Sequence, residues 1–280
     1  MVLALLAIGL SLIFGMMRVI NFAHGAFYMI GAYVTYTIVS RMQSYVLAFV
    51  AVPIIVAALA YIIERWLVRP LYVRPEEDPI LLTFGLSLVV MEIIRMVYGK
   101  IGLPVNIPRE LQGTWKIGLF DFPIYLMFVV GFSVILFIAL WLFLEKTDTG
   151  LVVRAGTRDP EMVRVLGIDL AKARSVVFVI GVAMAAWAGA LSAPLRGVIP
   201  EMGQAILAPS FVVVVIGGMG SYWGTVISGV IVGITVSLTS LFAPAWAEVA
   251  IYILMALVLI VKPEGLFVRE HAMRFALGRR

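Results

Sequence analysis

Cysteine is absent from all 280 residues. That excludes disulfides, thiolate metal sites and thiol catalysis. Histidine is nearly absent as well. His24 and His271 are the whole supply of imidazole, too few for the usual zinc site, so no metal is expected. No GxxxxGK(S/T) run occurs, so the chain has no P-loop and is not expected to be an enzyme that hydrolyses ATP. Charge is scarce. Asp, Glu, Lys and Arg make up 13% of the residues, where a soluble domain carries about a quarter. The net charge is +5, yet no basic stripe with interleaved aromatics marks a nucleic-acid surface.

Apolar residues fill the space instead. They are 63% of the chain, and the mean hydropathy is +1.09. One 280-residue core cannot hide that much apolar surface, and lipid is its natural solvent. Nine apolar runs stand out, at residues 2–17, 26–40, 45–63, 79–98, 123–144, 175–193, 205–220, 225–243 and 246–261. In a bilayer a helix satisfies its own backbone groups, so these runs read as membrane helices. The expected fold is an all-α, polytopic membrane bundle of about eight to nine transmembrane helices, forming a single domain over residues 1–280. The first run lacks a positive n-region and an A-x-A site, so it reads as a retained span rather than a cleaved signal. The first two runs fall short of the roughly 20 residues a span needs. Either their ends are trimmed or the helices break near the bilayer middle.

Lys and Arg set the expected orientation. Loops around Arg18, residues 65–74 and 146–174, and the tail from Lys262 hold fifteen basic residues, against five in the opposite loops. The richer face should be cytoplasmic. Nine crossings then put the N-terminus outside and the C-terminus in the cytoplasm.

Four groups of residues are candidates for function. Asn21, Phe22, His24 and Gly25 interrupt the first two runs. A polar turn at the interface is the simpler reading, and a broken helix bordering a transport pathway is the functional one. Glu92 and Arg95 can pair on one helix face near the end of the fourth run, more as structure than as a proton relay. Small residues recur at i, i+4 spacing: Gly181, Ala185, Gly189 and Ala193, then Gly220, Gly224 and Ser228, preceded by Gly217 and Gly218. They suit close helix packing, within this chain or against a second membrane subunit. The polar loop at residues 145–174 holds a short amphipathic helix. Asp159 is its N-cap, Pro160 and Glu161 open it, and Gly167 ends it in a left-handed cap. Met162, Val163 and Leu166 should share its apolar face, flanked by Glu161 and Arg164, and Asp169 should cap the next helix. Such a helix suits docking into a partner's groove or lying on lipid headgroups, and the pattern alone leaves both open.

Four blocks in order carry a resemblance. They are GLSLIFGMMRVINFAHGAFYMIGAY at 9–33, RAGTRDPEMVRVLGID at 154–169, FVVVVIGGMGSYWGTVISG at 211–229 and VKPEGLF at 261–267. Over essentially its whole length the chain resembles the permeases of branched-chain amino-acid ABC importers, in their LivH-type branch. Members of that family usually carry more residues ahead of the first block. The resemblance implies an ABC importer permease fold in a bacterial or archaeal cytoplasmic membrane, translocating branched-chain or related amino acids. It implies four kinds of partner: a second related permease, two cytoplasmic ABC ATPase subunits, an extracytoplasmic solute-binding protein and the lipid bilayer. ATP hydrolysis would fall to the ATPase subunits, and no cofactor would be bound by this chain. The loop at 154–169 matches the family's ATPase-contacting loop, which favours docking. The break at 21–25 matches the family's hallmark, which favours a place near the pathway. An ion-coupled secondary transporter is the alternative. It needs buried acidic residues or ion sites near the midplane, and the sequence offers almost none. An intramembrane enzyme would need paired His, Asp or Glu residues deep in the membrane, and these are missing too.

Overall fold

A computed structural model describes residues 1–72, 74–75, 77–117 and 120–267. His271 and the tail residues Arg269, Arg274, Arg279 and Arg280 lie outside the described residues. The chain forms eleven α-helices among the described residues: α1 Val2–Met17, α2 His24–Met42, α3 Tyr45–Ile63, α4 Glu77–Tyr98, α5 Ile124–Lys146, α6 Asp148–Arg158, α7 Pro160–Val165, α8 Leu170–Arg196, α9 Met202–Gly217, α10 Tyr222–Phe242 and α11 Ala247–Val261. It is an all-α, multi-pass membrane protein.

Each of the nine apolar runs falls mainly on a helix, the run at 205–220 passing beyond the end of α9 at Gly217. Among the described residues six helical stretches are long and apolar enough to cross a membrane: α3 with its continuation to Leu71, α4, α5, α8, α10, and α11 with the short turn before it. Helices α1 and α9 are apolar but have 16 residues each. Helix α2 is longer, but its three tyrosines, two threonines and Ser40 make it less apolar. The sequence reading had no strands in the loop before α5. The structure has an antiparallel hairpin there, β1 Thr114–Ile117 with β2 Phe120–Pro123, Trp115 facing Phe122. Bulky apolar residues alternating with Lys116 and Asp121 suit a short two-sided ribbon.

Burial sorts the helices into a centre and a ring. Within its apolar stretch α8 is 72% buried, against 11% for the last span. Helices α1 and α2 make their most extensive contacts with α8. Small residues permit this. Gly181 of α8 meets Gly9 of α1, Gly31 of α2 meets Ala186, and Gly189 meets the backbone of Tyr28 and Ala32. Without a hydrophobic force between helices in lipid, such backbone approach gives the van der Waals contact that associates them. Gly220, Gly224 and Ser228 were expected as a second stripe, preceded by Gly217 and Gly218, but only Gly224 and Ser228 lie on α10. Gly217 ends α9, Gly218 and Gly220 have φ of 92° and 79°, and the chain reverses so that Gly217 faces Gly224 of α10. Positive φ is open to glycine at no steric cost, so the run becomes a turn instead of a helix.

Pro53, Pro194 and Pro209 lie inside helices, and at the first two aromatic side chains replace the amide donor that proline removes. Pro53 leaves the Phe49 carbonyl without its i+4 donor, and Trp187 Nε1 donates to it at 3.1 Å. Pro194 does the same to Ala190, whose carbonyl accepts from the Tyr45 hydroxyl at 2.8 Å. Tyr125 donates to the next carbonyl, Leu191, at 2.8 Å. These bonds tie α3 and α5 to α8 where lipid could not satisfy the backbone.

Candidate transport pathway and coupling loop

Helix α1 ends at a left-handed Arg18, φ 55°, whose N–H donates to the Phe14 carbonyl at 2.7 Å. The chain then turns back along α1. His24, the first residue of α2, donates from Nε2 to the Leu6 carbonyl at 3.0 Å. Leu6 is eleven residues before the end of α1, about 16 Å along a helix axis. Helix α2 therefore starts deep in the bundle and not at its end. Asn21 shapes the turn. Its Oδ1 accepts from the Ala23 N–H at 3.0 Å and its carbonyl from the His24 N–H at 3.2 Å. Thr83 Oγ1 of α4 accepts from the Phe22 N–H at 3.2 Å. Two buried atoms keep no partner, Asn21 Nδ2 and His24 Nδ1. Gly25 completes the group: a Cβ there would strike the backbone of Gly203 in α9.

Of these four residues Phe22 lines a cavity of about 470 Å³ between α2, α4 and α9, Asn21 lines a separate small cavity, and His24 and Gly25 line neither. The Phe22 ring lies edge-on to Phe84 at 5.9 Å and tilted to Phe211 at 6.0 Å. Met29, Met91 and Leu207 add apolar surface, and Ser87 and Gln204 are the polar side chains lining it. Such a lining can host an aliphatic side chain by burial alone. At one end of this region Arg95 pairs with Glu92 on its own helix and, at 2.6 Å, with Glu201 ahead of α9. Arg95 holds the Glu201 carboxyl below its ordinary value. The Glu92–Arg95 pair is thus part of a bridge between α4 and the α8–α9 turn.

The loop at 145–174 has more structure than the sequence suggested. Thr147 caps α6, accepting from the Gly150 N–H at 3.0 Å. Gly156 packs on Met16 of α1 and Leu170 of α8, and Thr157 reaches Gly15 and Gly220. In α7, Asp159 Oδ1 accepts from the Met162 N–H at 2.9 Å, Gly167 has φ 76°, and Asp169 caps α8 through the Ala171 N–H at 2.9 Å. The expected apolar face is divided. Val163 is buried at 4%, whereas Met162, Val165 and Leu166 are 56%, 81% and 69% exposed. Successive helical residues turn by about 100°, so Val163 points to the bundle while Met162, Val165 and Leu166, at i, i+3 and i+4, point away. Glu161 and Arg164 are exposed beside them.

Sequence reasoning passed over one group. Glu64 is fully buried where α3 widens into a π turn at Glu64–Val68. Arg69 grips both its oxygens, at 3.2 and 3.3 Å, and Tyr72 and Ser175 donate to it at 2.9 and 2.8 Å. Glu64 is a buried acidic residue that the sequence reading did not name, and it lies at the end of α3. The signal was a Glu at the end of an apolar run with Arg five residues on. Its counter-charge makes it a fixed ion pair, not a free proton carrier. Among the described residues no three His, Asp or Glu side chains gather as a metal site.

The family described as "Branched-chain amino acid transport system / permease component" matches residues 1–260. The chain belongs to that permease family. The match takes in the break at 21–25, the loop at 154–169 and the reversal at 217–224. The permease is 33% identical to the "High-affinity branched-chain amino acid transport system permease protein LivH" of Salmonella typhimurium, over 95% of this chain and 91% of the relative. It is 31% identical to the corresponding BraD protein of Pseudomonas aeruginosa over the same shares. A "Probable branched-chain amino acid transport permease protein LivH" of Methanocaldococcus jannaschii is 28% identical over 94% of the permease and 88% of the relative. No solved structure matches it significantly.

Proposed function

We infer that this permease is the membrane half of an ATP-binding-cassette importer of branched-chain or related aliphatic amino acids. The observation that carries the reading is the aromatic, apolar cavity against Phe22 in a chain related end to end to such permeases. The side chain of the substrate would be held by Phe22, Phe84 and Phe211 on its way past the α2 break. ATP hydrolysis belongs to two partner ATPase subunits, selectivity largely to a solute-binding protein, and a second related permease supplies the rest of the pathway. No cofactor is assigned to this chain. The exposed stripe of Met162, Val165 and Leu166 is the proposed seat on an ATPase subunit.

Two experiments test this. The chain, coexpressed with its partner permease, ATPase and binding protein and reconstituted in vesicles, should import labelled leucine only with ATP. Concentrative uptake by the chain alone on an ion gradient would instead establish a secondary transporter. The orientation supported by the basic residues puts the α6–α7 loop and the C-terminus in the cytoplasm. The native chain has no cysteine, so Arg158→Cys and Pro104→Cys report sides directly. Pro104→Cys should label from outside intact cells and Arg158→Cys only after permeabilisation. Equal labelling of both from outside would overturn the map.

A further inference from the structure

The Glu64 cluster lies between the two regions that an importer must connect. Ser175 stands on the first turns of α8, which follows α7 and its Asp169 cap directly. Tyr72, the other hydroxyl on Glu64, lines a small cavity together with Asn21 and Thr83. Thr83 in turn holds the Phe22 N–H. A line of contacts therefore runs from the base of α8 through Glu64 and Tyr72 to the segment at 18–23. We propose that Glu64 is a positioning residue, the joint through which movement of the α6–α7 loop is passed to the α2 break.

The proposal rests on the importer reading above, and three physical features support it beyond proximity. First, the joint is stiff. A buried carboxylate is costly to leave unpaired, so Glu64 cannot drop its donors one at a time without a penalty. Arg69 holds it from two nitrogens, and the guanidinium also donates to Ser175, closing a ring across α3, its continuation and α8. Second, the backbone at Glu64 departs from α geometry. A π turn inside a helix is rare and is found frequently at functional sites. Here it carries Glu64 at its start and Val68, a wall of the small cavity, at its end. Third, the adjacent residue on α8 is also committed. Arg174 lies over the Tyr72 ring at 5.2 Å, so a shift of α8 moves Tyr72 by two routes.

The test uses the whole reconstituted complex and reads the number of leucine molecules imported per ATP hydrolysed. The variants are Tyr72→Phe, Ser175→Ala and Glu64→Gln, with Tyr61→Phe on an exposed part of α3 as the control. A merely structural defect lowers assembled complex, so uptake and hydrolysis fall together and their ratio stays constant. Loss of a joint leaves hydrolysis and breaks its link to uptake. The ratio should fall about fivefold in Tyr72→Phe and in Glu64→Gln, within the range seen for positions on a coupling network, and should hold in Tyr61→Phe. If Glu64→Gln fails to assemble, Tyr72→Phe and Ser175→Ala decide. An unchanged ratio in both, whether the two rates hold or fall in step, overturns the joint and leaves the importer intact. A native complex that neither hydrolyses ATP nor imports overturns both.

Discussion

Gly189→Val should abolish the assembled permease, while Gly233→Ala in the same bundle should leave it unchanged. The contrast isolates space from composition. A Cβ at 189 would overlap the Tyr28 carbonyl oxygen and lie 2.9 Å from the Ala32 backbone nitrogen. Neither is the end of a flexible side chain. Relief requires separating α2 from α8, the most extensively packed pair in the fold, and with it the Tyr28–Ser192 hydroxyl bond at 2.5 Å. Overpacking a core usually costs about 1–3 kcal/mol, and a backbone-to-backbone clash belongs above that range, enough to consume much of the about 5–15 kcal/mol that holds a typical domain together. At Gly233 no atom lies within 4 Å of the added methyl. Copurification with the proposed partner permease and resistance to protease in detergent are the measurements. Native yield of Gly189→Val would show that α2 and α8 are farther apart than the structure has them.

Leu166→Asp should cut uptake more than tenfold without lowering the amount of permease in the membrane. Leu166 is 69% exposed, so the change leaves the fold alone and acts only where a partner buries the position. An unpaired carboxylate in such an interface costs several times the roughly 1.4 kcal/mol that corresponds to tenfold. Val163→Asp makes the opposite pattern. Val163 is buried, so abundance and uptake should fall together. Gly167→Val separates a third factor. Nothing lies within 4 Å of a Cβ there, but φ is 76°. Its effect is backbone strain of about 1 kcal/mol, expected as a partial loss of ATPase retention. Full uptake and full ATPase retention in both Leu166→Asp and Gly167→Val would reduce the loop to an anchor on lipid headgroups.

The positions of the membrane helices were legible in the sequence because a bilayer demands long apolar runs, and each of the nine runs falls mainly on a helix. The capping residues Asp159, Gly167 and Asp169 were legible for a similar reason, since each acts within its own turn. What was not legible depends on residues far apart in the chain. Nothing between Met17 and His24 states that α2 begins beside Leu6; that depth is fixed by α4 and α9, through Thr83 and Gly203. The stripe of Gly220, Gly224 and Ser228 has helical spacing, and only the positive φ of Gly218 and Gly220 puts a reversal at its start. Glu64 was passed over because its partner Ser175 is 111 residues away. Helix α6 was hidden inside a loop whose polar residues drew attention to α7 instead.

The deep start of α2 also bears on how the chain is made. Segment 18–23 has few helical hydrogen bonds, and its shelter comes from α4, α8 and α9. When α1 and α2 leave the ribosome, those helices have not been synthesised. A non-helical stretch cannot face hydrocarbon without losing several kcal/mol per unsatisfied group. The newborn hairpin must therefore rest shallow, or stay at the insertion machinery, until the residues from Met42 to Gly217 have followed at about 5–20 per second. Its final depth can be reached only once α4, α8 and α9 are in place to receive it. For this interval the N-terminal third is the part of the permease most open to membrane quality control, and a truncated chain ending before α8 should be cleared quickly.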